Sequence, residues 1–284
     1  MNRILITGHK GMLGRELAAT AQRLGKEFVG LDLPECDITS LKAVQHAMQA
    51  AEPELVLHSA AFTAVDRCES EADLAYLVNA TGTQNVCLAA QSLNVPVLHV
   101  STDYIFDGSK SEPYDEWDPG NPQSVYGKSK YAGEQFVRAL CPRHFIVRIE
   151  WLCGHGGANF AETILKLAAE RDELKVVNDQ HGSPTFVNDL APELLRLADS
   201  GMFGTYHIAN QGYTTWFEFA KKIVELSGLK TRVMPCTTEE FPRPAPRPRN
   251  SRLSLRLYDN AIGIRMPTWE EGLTKYLAER ADRV

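Results

Sequence analysis

Short runs of aliphatic and β-branched residues recur through the first half of the chain. Between them lie longer stretches with apolar positions at three- and four-residue spacing. The runs Ile4–Thr7, Phe28–Leu31, Leu55–Ser59, Val97–Ser101 and Phe145–Ile149 predict strands. Helices are predicted near Leu13–Leu24, Leu41–Ala51, Ala72–Leu93 and Ser124–Leu140. Strands that are apolar almost throughout, alternating with helices, specify a parallel sheet covered on both faces. The expected class is therefore α/β, with a doubly wound, Rossmann-type domain over residues 1–150 whose ligands sit at the carboxyl ends of the strands. After residue 150 the alternation weakens. Helices near Phe160–Arg171, Leu190–Ala198 and Trp216–Ser227 are separated by loops. Residues 151–284 are expected to form mainly a smaller α/β substrate-binding region, with some segments returning to the first domain.

Composition narrows the function classes. The 284 residues carry 30 Lys+Arg against 36 Asp+Glu, a net charge of −6. Without a basic block this disfavours a nucleic-acid partner. The longest stretch free of Asp, Glu, Lys and Arg, Leu74–Thr102, contains Asn79, Gln84, Asn85 and Pro96, so it reads as helix then strand and not as a membrane span. The N-terminus runs straight into a strand with no signal-peptide pattern. Six singly scattered cysteines form no C-x-x-C pair, which points to reduced thiols and a cytoplasmic location.

Three features carry chemistry. Gly8-His9-Lys10-Gly11-Met12-Leu13-Gly14 lies between a predicted strand and an apolar helix. Glycines there let the main chain turn tightly and approach a pyrophosphate on the helix N-terminus, although a plain strand-to-helix turn would also use them. Asp32 follows the second strand, where a carboxylate accepts ribose hydroxyls. His9 and Lys10 could instead neutralise a 2′-phosphate, so NADH and NADPH both stay open. Asp37, before Ile38, reads equally as an adenosine contact or as a helix N-cap element.

The third feature is Ser101-Thr102-Asp103 at a strand end, followed by Tyr126-Gly-Lys-Ser-Lys130 on a predicted helix. Tyr126 and Lys130, four residues apart, share a helix face. An ammonium near a phenol is expected to lower its pKa toward working pH. A hydroxyl acid–base beside a nicotinamide is what carbonyl reduction requires. Other residues read as structure: Trp216 and Phe219 as core, His58 and His99 as hydrogen-bonded core histidines, and Glu279–Arg283 as a solvated tail.

With these motifs in place, the chain resembles the extended short-chain dehydrogenase/reductases and, within them, the dTDP-4-dehydrorhamnose reductase family. The resemblance runs over nearly the full length. It rests on Gly8–Gly14, Ala60–Asp66, Ser101–Gly108, Tyr126–Lys130, Asn178–Thr185, Thr214–Trp216 and Arg247–Ser251. It implies NADPH- or NADH-dependent reduction of the C4 ketone of dTDP-4-dehydro-L-rhamnose. By that resemblance Gly11, Met12 and Leu13 would line the pyrophosphate, with Gly8, Lys10 and Gly14 of the same loop also cofactor-binding, and Asp32, Asp37 and Ile38 would line the adenosine. Ala61, Phe62 and Thr63 would run along the cofactor. Thr102, Tyr126 and Lys130 would be catalytic, with Tyr126 giving the proton and Lys130 holding the nicotinamide ribose. Thr102, Asp103 and Trp151 would contact the sugar.

The proline-stiffened segment Phe241–Asn250, with four arginines counting Arg252, is expected to be an extended loop whose Arg247 grips the substrate diphosphate, Asn250 nearby. Two departures from the family pattern stand out. Glu150 replaces the usual Thr or Ser before Trp151, and Cys153 replaces an aromatic. A carboxylate beside an anionic substrate is unfavourable unless it points away or pairs with arginine. Some members bind Mg²⁺ at a dimer contact. Glu16 matches one ligand position, but the other is Asn188, so no metal is expected. The same resemblance admits a homodimer. Two rivals share the fold, a non-catalytic subunit like the methionine adenosyltransferase β subunit and a nucleotide-sugar epimerase or dehydratase. The intact Thr102, Tyr126 and Lys130 set argues against the first. Asp103-Tyr104 after Thr102, in place of an Asp-Glu pair, argues against a dehydratase.

Overall fold

The computed structural model describes residues 1–281. The chain opens with β1 (Arg3–Thr7), α1 (Met12–Arg23), β2 (Glu27–Leu31), α2 (Leu41–Ala51) and β3 (Leu55–His58). Short helices α3 (Val65–Ser70) and α4 (Ala72–Tyr76) lead through a π-helical turn at Leu77–Gly82 into α5 (Thr83–Ser92). Next come β4 (Val97–Thr102), α6 (Val125–Leu140) and β5 (His144–Ile149).

The second half runs β6 (Leu152–Cys153), α7 (Phe160–Glu170), β7 (Glu173–Val177), β8 (His181–Gly182), β9 (Thr185–Phe186), α8 (Val187–Ser200) and β10 (Gly204–His207). It ends with β11 (Thr214–Thr215), α9 (Trp216–Leu226), β12 (Arg232–Cys236), α10 (Arg256–Ile262) and α11 (Trp269–Ala281).

Six strands form the main sheet in the order β10-β5-β4-β3-β1-β2, and every pairing in it is parallel. Alternate residues of each strand face opposite layers. Ile4, Ile6, Leu57 and Val147 bury against Leu13, Leu17 and Ala21 of α1 and Leu190 and Leu194 of α8. Leu5, Val56 and Ile146 bury against α2, α5 and α6 through Val44, Met48, Val86 and Val137. The chain turns from β1 outward to β2 and returns to β3, so the crevice after β1 is the topological switch point where such sheets bind ligands. A separate core of Leu165, Leu174, Phe186, Phe219 and Leu273 joins α7, α9 and α11 to the β7–β12 pair.

Two expectations change and one is made specific. The helix expected over Ala72–Leu93 is interrupted by a π-helical turn at Leu77–Gly82, where the buried Asn79 side chain bonds to Phe62 and Ser129. The segment expected to return to the first domain after residue 150 is specified as a sixth strand, Gly204–His207, beside β5; four residues are too few to show a periodicity. The tail read as solvated belongs to α11, where Arg280 pairs with Glu162 and Glu279 accepts from Asn188. Asp282 and Arg283 of that run lie outside the described residues. No helix among the described residues is long and apolar enough to cross a membrane.

Candidate active site

A cleft of about 900 Å³ runs along the carboxyl ends of β1, β3, β4 and β5. At one end the Gly8 amide donates to the Leu31 carbonyl at 2.8 Å, and the Gly11 amide returns to Gly8 at 3.0 Å. A side chain at position 14 would put its Cβ 2.1 Å from the Gly8 oxygen, so glycine is obligatory for α1 to start this close to the loop. Gly11 caps α1 without any side-chain acceptor. The main chain here presents a helix N-terminus to the cleft, the arrangement that suits a diphosphate. Asp32 accepts the amides of Lys10 at 2.9 Å and Leu33 at 2.8 Å, which ties β2 to the glycine loop. The Lys10 ammonium reaches the Leu33 carbonyl and Glu35 at the same mouth. Asp37 accepts the Thr39 amide and hydroxyl, so its turn role and its place on the cleft wall coexist.

Mid-cleft, β4 delivers Thr102 and Asp103. The Thr102 hydroxyl donates to Asp103 Oδ1 at 2.9 Å and caps the turn after the strand. α6 is started by Ser124, whose hydroxyl accepts the Gly127 amide, and it brings up Tyr126 and Lys130. Its buried Glu134 meets Arg148 of β5 through two bonds of 3.0 and 2.9 Å. Burial opposes the Glu134 charge, yet the Arg148 guanidinium prevails and holds its pKa below the usual range. This pair locks the helix to the sheet and fixes where Tyr126 stands.

Tyr126 and Thr102 line the same part of the cleft, and Tyr104 meets the Tyr126 ring edge-on at 5.5 Å. Lys130 is buried, donating to the Val100 carbonyl at 2.7 Å with His99 Nε2 at 3.5 Å. Desolvation lowers the Lys130 pKa to about 8, against the pull of Glu134.

One expectation reverses here. The Tyr126 pKa is raised, not lowered, because burial outweighs the opposing effect of Thr102. Lys130 directs its ammonium at the main chain and leaves the phenol protonated. A protonated phenol is the form a proton donor needs. Asp103 is likewise pushed up to about 6 by burial, against the opposing effect of its hydrogen bond from Thr102. His58 is satisfied as expected, between the hydroxyls of Thr7 and Thr83. His99 is not, since its Nδ1 has no partner.

The opposite wall is made of side chains. Trp151 stacks on Trp216 at 3.6 Å with an 11° tilt, and Phe160 meets Trp216 at 4.4 Å. Glu150 is buried behind them, its pKa raised well above the carboxylate range by burial and then by the Asp103 charge.

The cleft thus collects all the expected glycine-loop residues, with Asp32, Asp37, Ile38, Ala61, Thr63, Thr102, Asp103, Tyr126, Lys130 and Trp151. Three expected residues are absent from its lining. Phe62 has both main-chain groups bonded to Asn79 and its ring under Arg67, facing away. Arg247 is engaged by Asp66 at 2.5 Å, so it is not a free grip for a diphosphate. Asn250 donates to the carbonyls of Lys110 and Glu112 and pins that loop. Conversely, Trp216, read as core, faces the cleft, as do Tyr104, Glu150 and Phe160. An i, i+3 aromatic pair on a helix cannot say which of its members lies at the helix end over a cavity. Glu16 pairs with Arg23 and Asn188 with Glu279. The described residues contain no cluster of three or more His, Cys, Asp or Glu arranged to hold a metal.

Comparison with known proteins adds lineage to this geometry. A family model described as RmlD substrate binding domain matches residues 1–281. The chain is 43% identical to the spore coat polysaccharide biosynthesis protein SpsK of Bacillus subtilis, over 99% of each chain. It is 39% identical to a dTDP-4-dehydrorhamnose reductase of Sinorhizobium fredii, covering 95% of this chain and 94% of the relative. A solved dTDP-4-dehydrorhamnose reductase from Clostridium acetobutylicum superposes with a TM-score of 0.96 at 44% identity, over 98% of this chain and 99% of the other. The Bacillus anthracis enzyme of that name, in complex with NADP, superposes at 0.95 with 43% identity, over 98% of this chain and 100% of the other.

Proposed function

We propose, from the premise that the chain belongs to the dTDP-4-dehydrorhamnose reductase family, that it reduces the C4 ketone of dTDP-4-dehydro-L-rhamnose with NADPH or NADH. The observation that carries this reading is the junction of Thr102, Tyr126 and Lys130 at the end of β4, in one cleft with the glycine loop and a tryptophan wall. The uncapped N-terminus of α1 fits a pyrophosphate, and the cleft mouth offers both Asp32 and Lys10 to an adenosine ribose. A bound reduced nicotinamide would supply the hydride for C4.

Tyr126 gives its phenolic proton to the ketone oxygen as that oxygen gains charge; the O–H bond of Tyr126 breaks and the C4 hydroxyl forms. Thr102 turns its hydroxyl from Asp103 to the same oxygen when the ketone is bound, and polarises it by hydrogen bonding. Lys130, cationic below about pH 8 and held by the Val100 carbonyl, reaches toward a ribose hydroxyl. The two indoles offer the apolar faces on which a hexose ring stacks. The test is a panel of dTDP-4-keto sugars with each cofactor, following cofactor absorbance and C4 stereochemistry. Oxidation coupled to the rhamno product is expected. Turnover of some other 4-keto sugar alone would move the substrate assignment, and absence of any turnover would overturn it.

A further inference from the structure

Glu150 takes no part in the chemistry above, yet it sits at the substrate end of the cleft with a relative exposure of 1%. Its Oε2 accepts the Ser183 amide at 2.8 Å and its Oε1 the Leu253 amide at 3.2 Å. Those amides belong to chain segments 33 and 103 residues away. Both segments are anchored further out. The Ser183 hydroxyl donates to the Asn210 carbonyl at 2.7 Å, and the Tyr114 amide and carbonyl bracket Leu253 by bonding to Arg252 and Ser254. One carboxyl group thus fastens the end of β5 to two loops of the other half.

The fit around it is close. A Cβ at Gly182 would come 2.5 Å from the Trp151 ring and 2.7 Å from Glu150 Oε2. The β8 main chain is therefore pressed against the carboxyl and against the indole that stacks on Trp216. Trp151 itself holds a left-handed φ of 46°, a conformation that persists in a bulky residue only when its surroundings enforce it. A plain structural staple would not need to lie on the cleft wall, nor beside the residue whose strained main chain aims an indole into it.

We propose that Glu150 is a positioning residue: through the Ser183 and Leu253 amides it holds the Trp151–Trp216 wall and the Asn250–Leu253 strap at the spacing that accepts the hexose of a nucleotide-sugar. The inference rests on the function proposed above. A carboxyl spans two amides with separate oxygens, which a single hydroxyl at this position cannot do. Asp103, Arg252 and Tyr213 are the titratable neighbours, and burial with the Asp103 charge favours the uncharged acid. Glu150 therefore adds no second anion beside Asp103 on this wall.

The experiment compares Glu150→Gln and Glu150→Leu with the wild type. NADPH affinity, KM for the dTDP-4-keto sugar, kcat and amide hydrogen exchange at Ser183 and Leu253 are measured. Glu150→Leu is expected to raise KM about tenfold or more, with kcat within about threefold and NADPH Kd within about twofold. Glu150→Gln, which keeps one acceptor, should fall between. Exchange should quicken at the two amides in the order wild type, Gln, Leu. An unchanged KM in folded variants, or KM and NADPH Kd rising together, overturns the proposal. If the wild type reduces no dTDP-4-keto sugar, the functional reading fails. The clasp then stands or falls on exchange, and unaltered protection at Ser183 and Leu253 would refute it.

Discussion

On the side where the dinucleotide is proposed to lie, the cleft is walled largely by main chain: Gly8, Gly11 and Gly14, the first amides of α1, and two carboxylates, Asp32 and Asp37, that themselves bond to amides. On the substrate side it is walled by side chains: two stacked indoles, Phe160 and the buried acids Asp103 and Glu150. The first wall comes from one continuous stretch plus the adjoining strand. The second draws on β4, β5, β6, α7 and α9. A main-chain wall suits a ligand common to many enzymes, because amide geometry is independent of residue identity. A side-chain wall can be altered one residue at a time, and the departures at Glu150 and Cys153 both fall on it.

Tyr126 stands where the walls meet, and its removal should have the largest effect. Tyr126→Phe is expected to lower kcat by about 10²–10⁴-fold while cofactor Kd holds, since the ring stays and only the proton is lost. Single-turnover hydride transfer within a few-fold of wild type would remove the phenol from the mechanism.

The substrate wall should also show a conflict between stability and function. Asp103 has a folded-state pKa near 6, above the ordinary 3.8. The folded form therefore holds its proton more tightly than the unfolded one. That contribution is complete below about pH 3.8 and is lost as pH rises through about 6. Asp103→Asn should flatten this part of the stability–pH curve and leave the variant more stable at pH 7.5, by about 1–3 kcal/mol. Turnover should fall, because Thr102 loses its anionic partner. Thermal melts between pH 4 and 8 on both proteins decide it; parallel curves would mean that Asp103 is solvated.

Trp216→Ala tests the same wall from α9. Losing the stacked indole should raise substrate KM about tenfold, roughly the worth of an aromatic pair near the upper end of its range. NADPH Kd should stay within about twofold. Equal weakening of both ligands would show that the two walls are not independent.

The same contrast explains what could be read in advance. The parallel strands and the glycine loop were legible because their signals are local: apolar runs, and glycines three residues apart at a strand–helix junction. Tyr126 and Lys130 were legible because a helix puts residues four apart on one face. Their charge relation was not, because whether the ammonium meets the phenol or the Val100 carbonyl depends on the depth of burial against β4. Arg247 looked like an anion grip because three other arginines lie beside it. Its actual partner, Asp66, is 181 residues away, where no linear pattern links them. Trp216 packs against the core as expected, but its cleft face was not legible, since the Trp151 ring it meets lies in another segment. Glu150 was recognisable as unusual, but its two amide partners were not.

The smallest expected effect lies in cofactor choice. The main-chain wall carries two opposed side chains at its mouth. Asp32 accepts the amides of Lys10 and Leu33 and retains lone pairs for a ribose hydroxyl, whereas its charge repels a 2′-phosphate. The Lys10 ammonium bonds to Leu33 and Glu35 at an exposed position, so it can exchange Glu35 for a phosphate at little cost. Asp32→Ala removes the repulsion and the ribose acceptor together, and also frees the Lys10 amide. Both cofactors should weaken, NADH more than NADPH, shifting the kcat/KM ratio a few-fold toward NADPH. Lys10→Ala should move it the other way by a similar factor, because only the phosphate loses a partner. Substrate KM should remain flat in both, since neither residue touches the far wall. The four kcat/KM values for the two variants, set against the two for wild type, suffice. A shift toward NADH in Asp32→Ala would mean that this carboxylate serves only to tie β2 to the glycine loop, and that the cofactor wall discriminates nothing at this point.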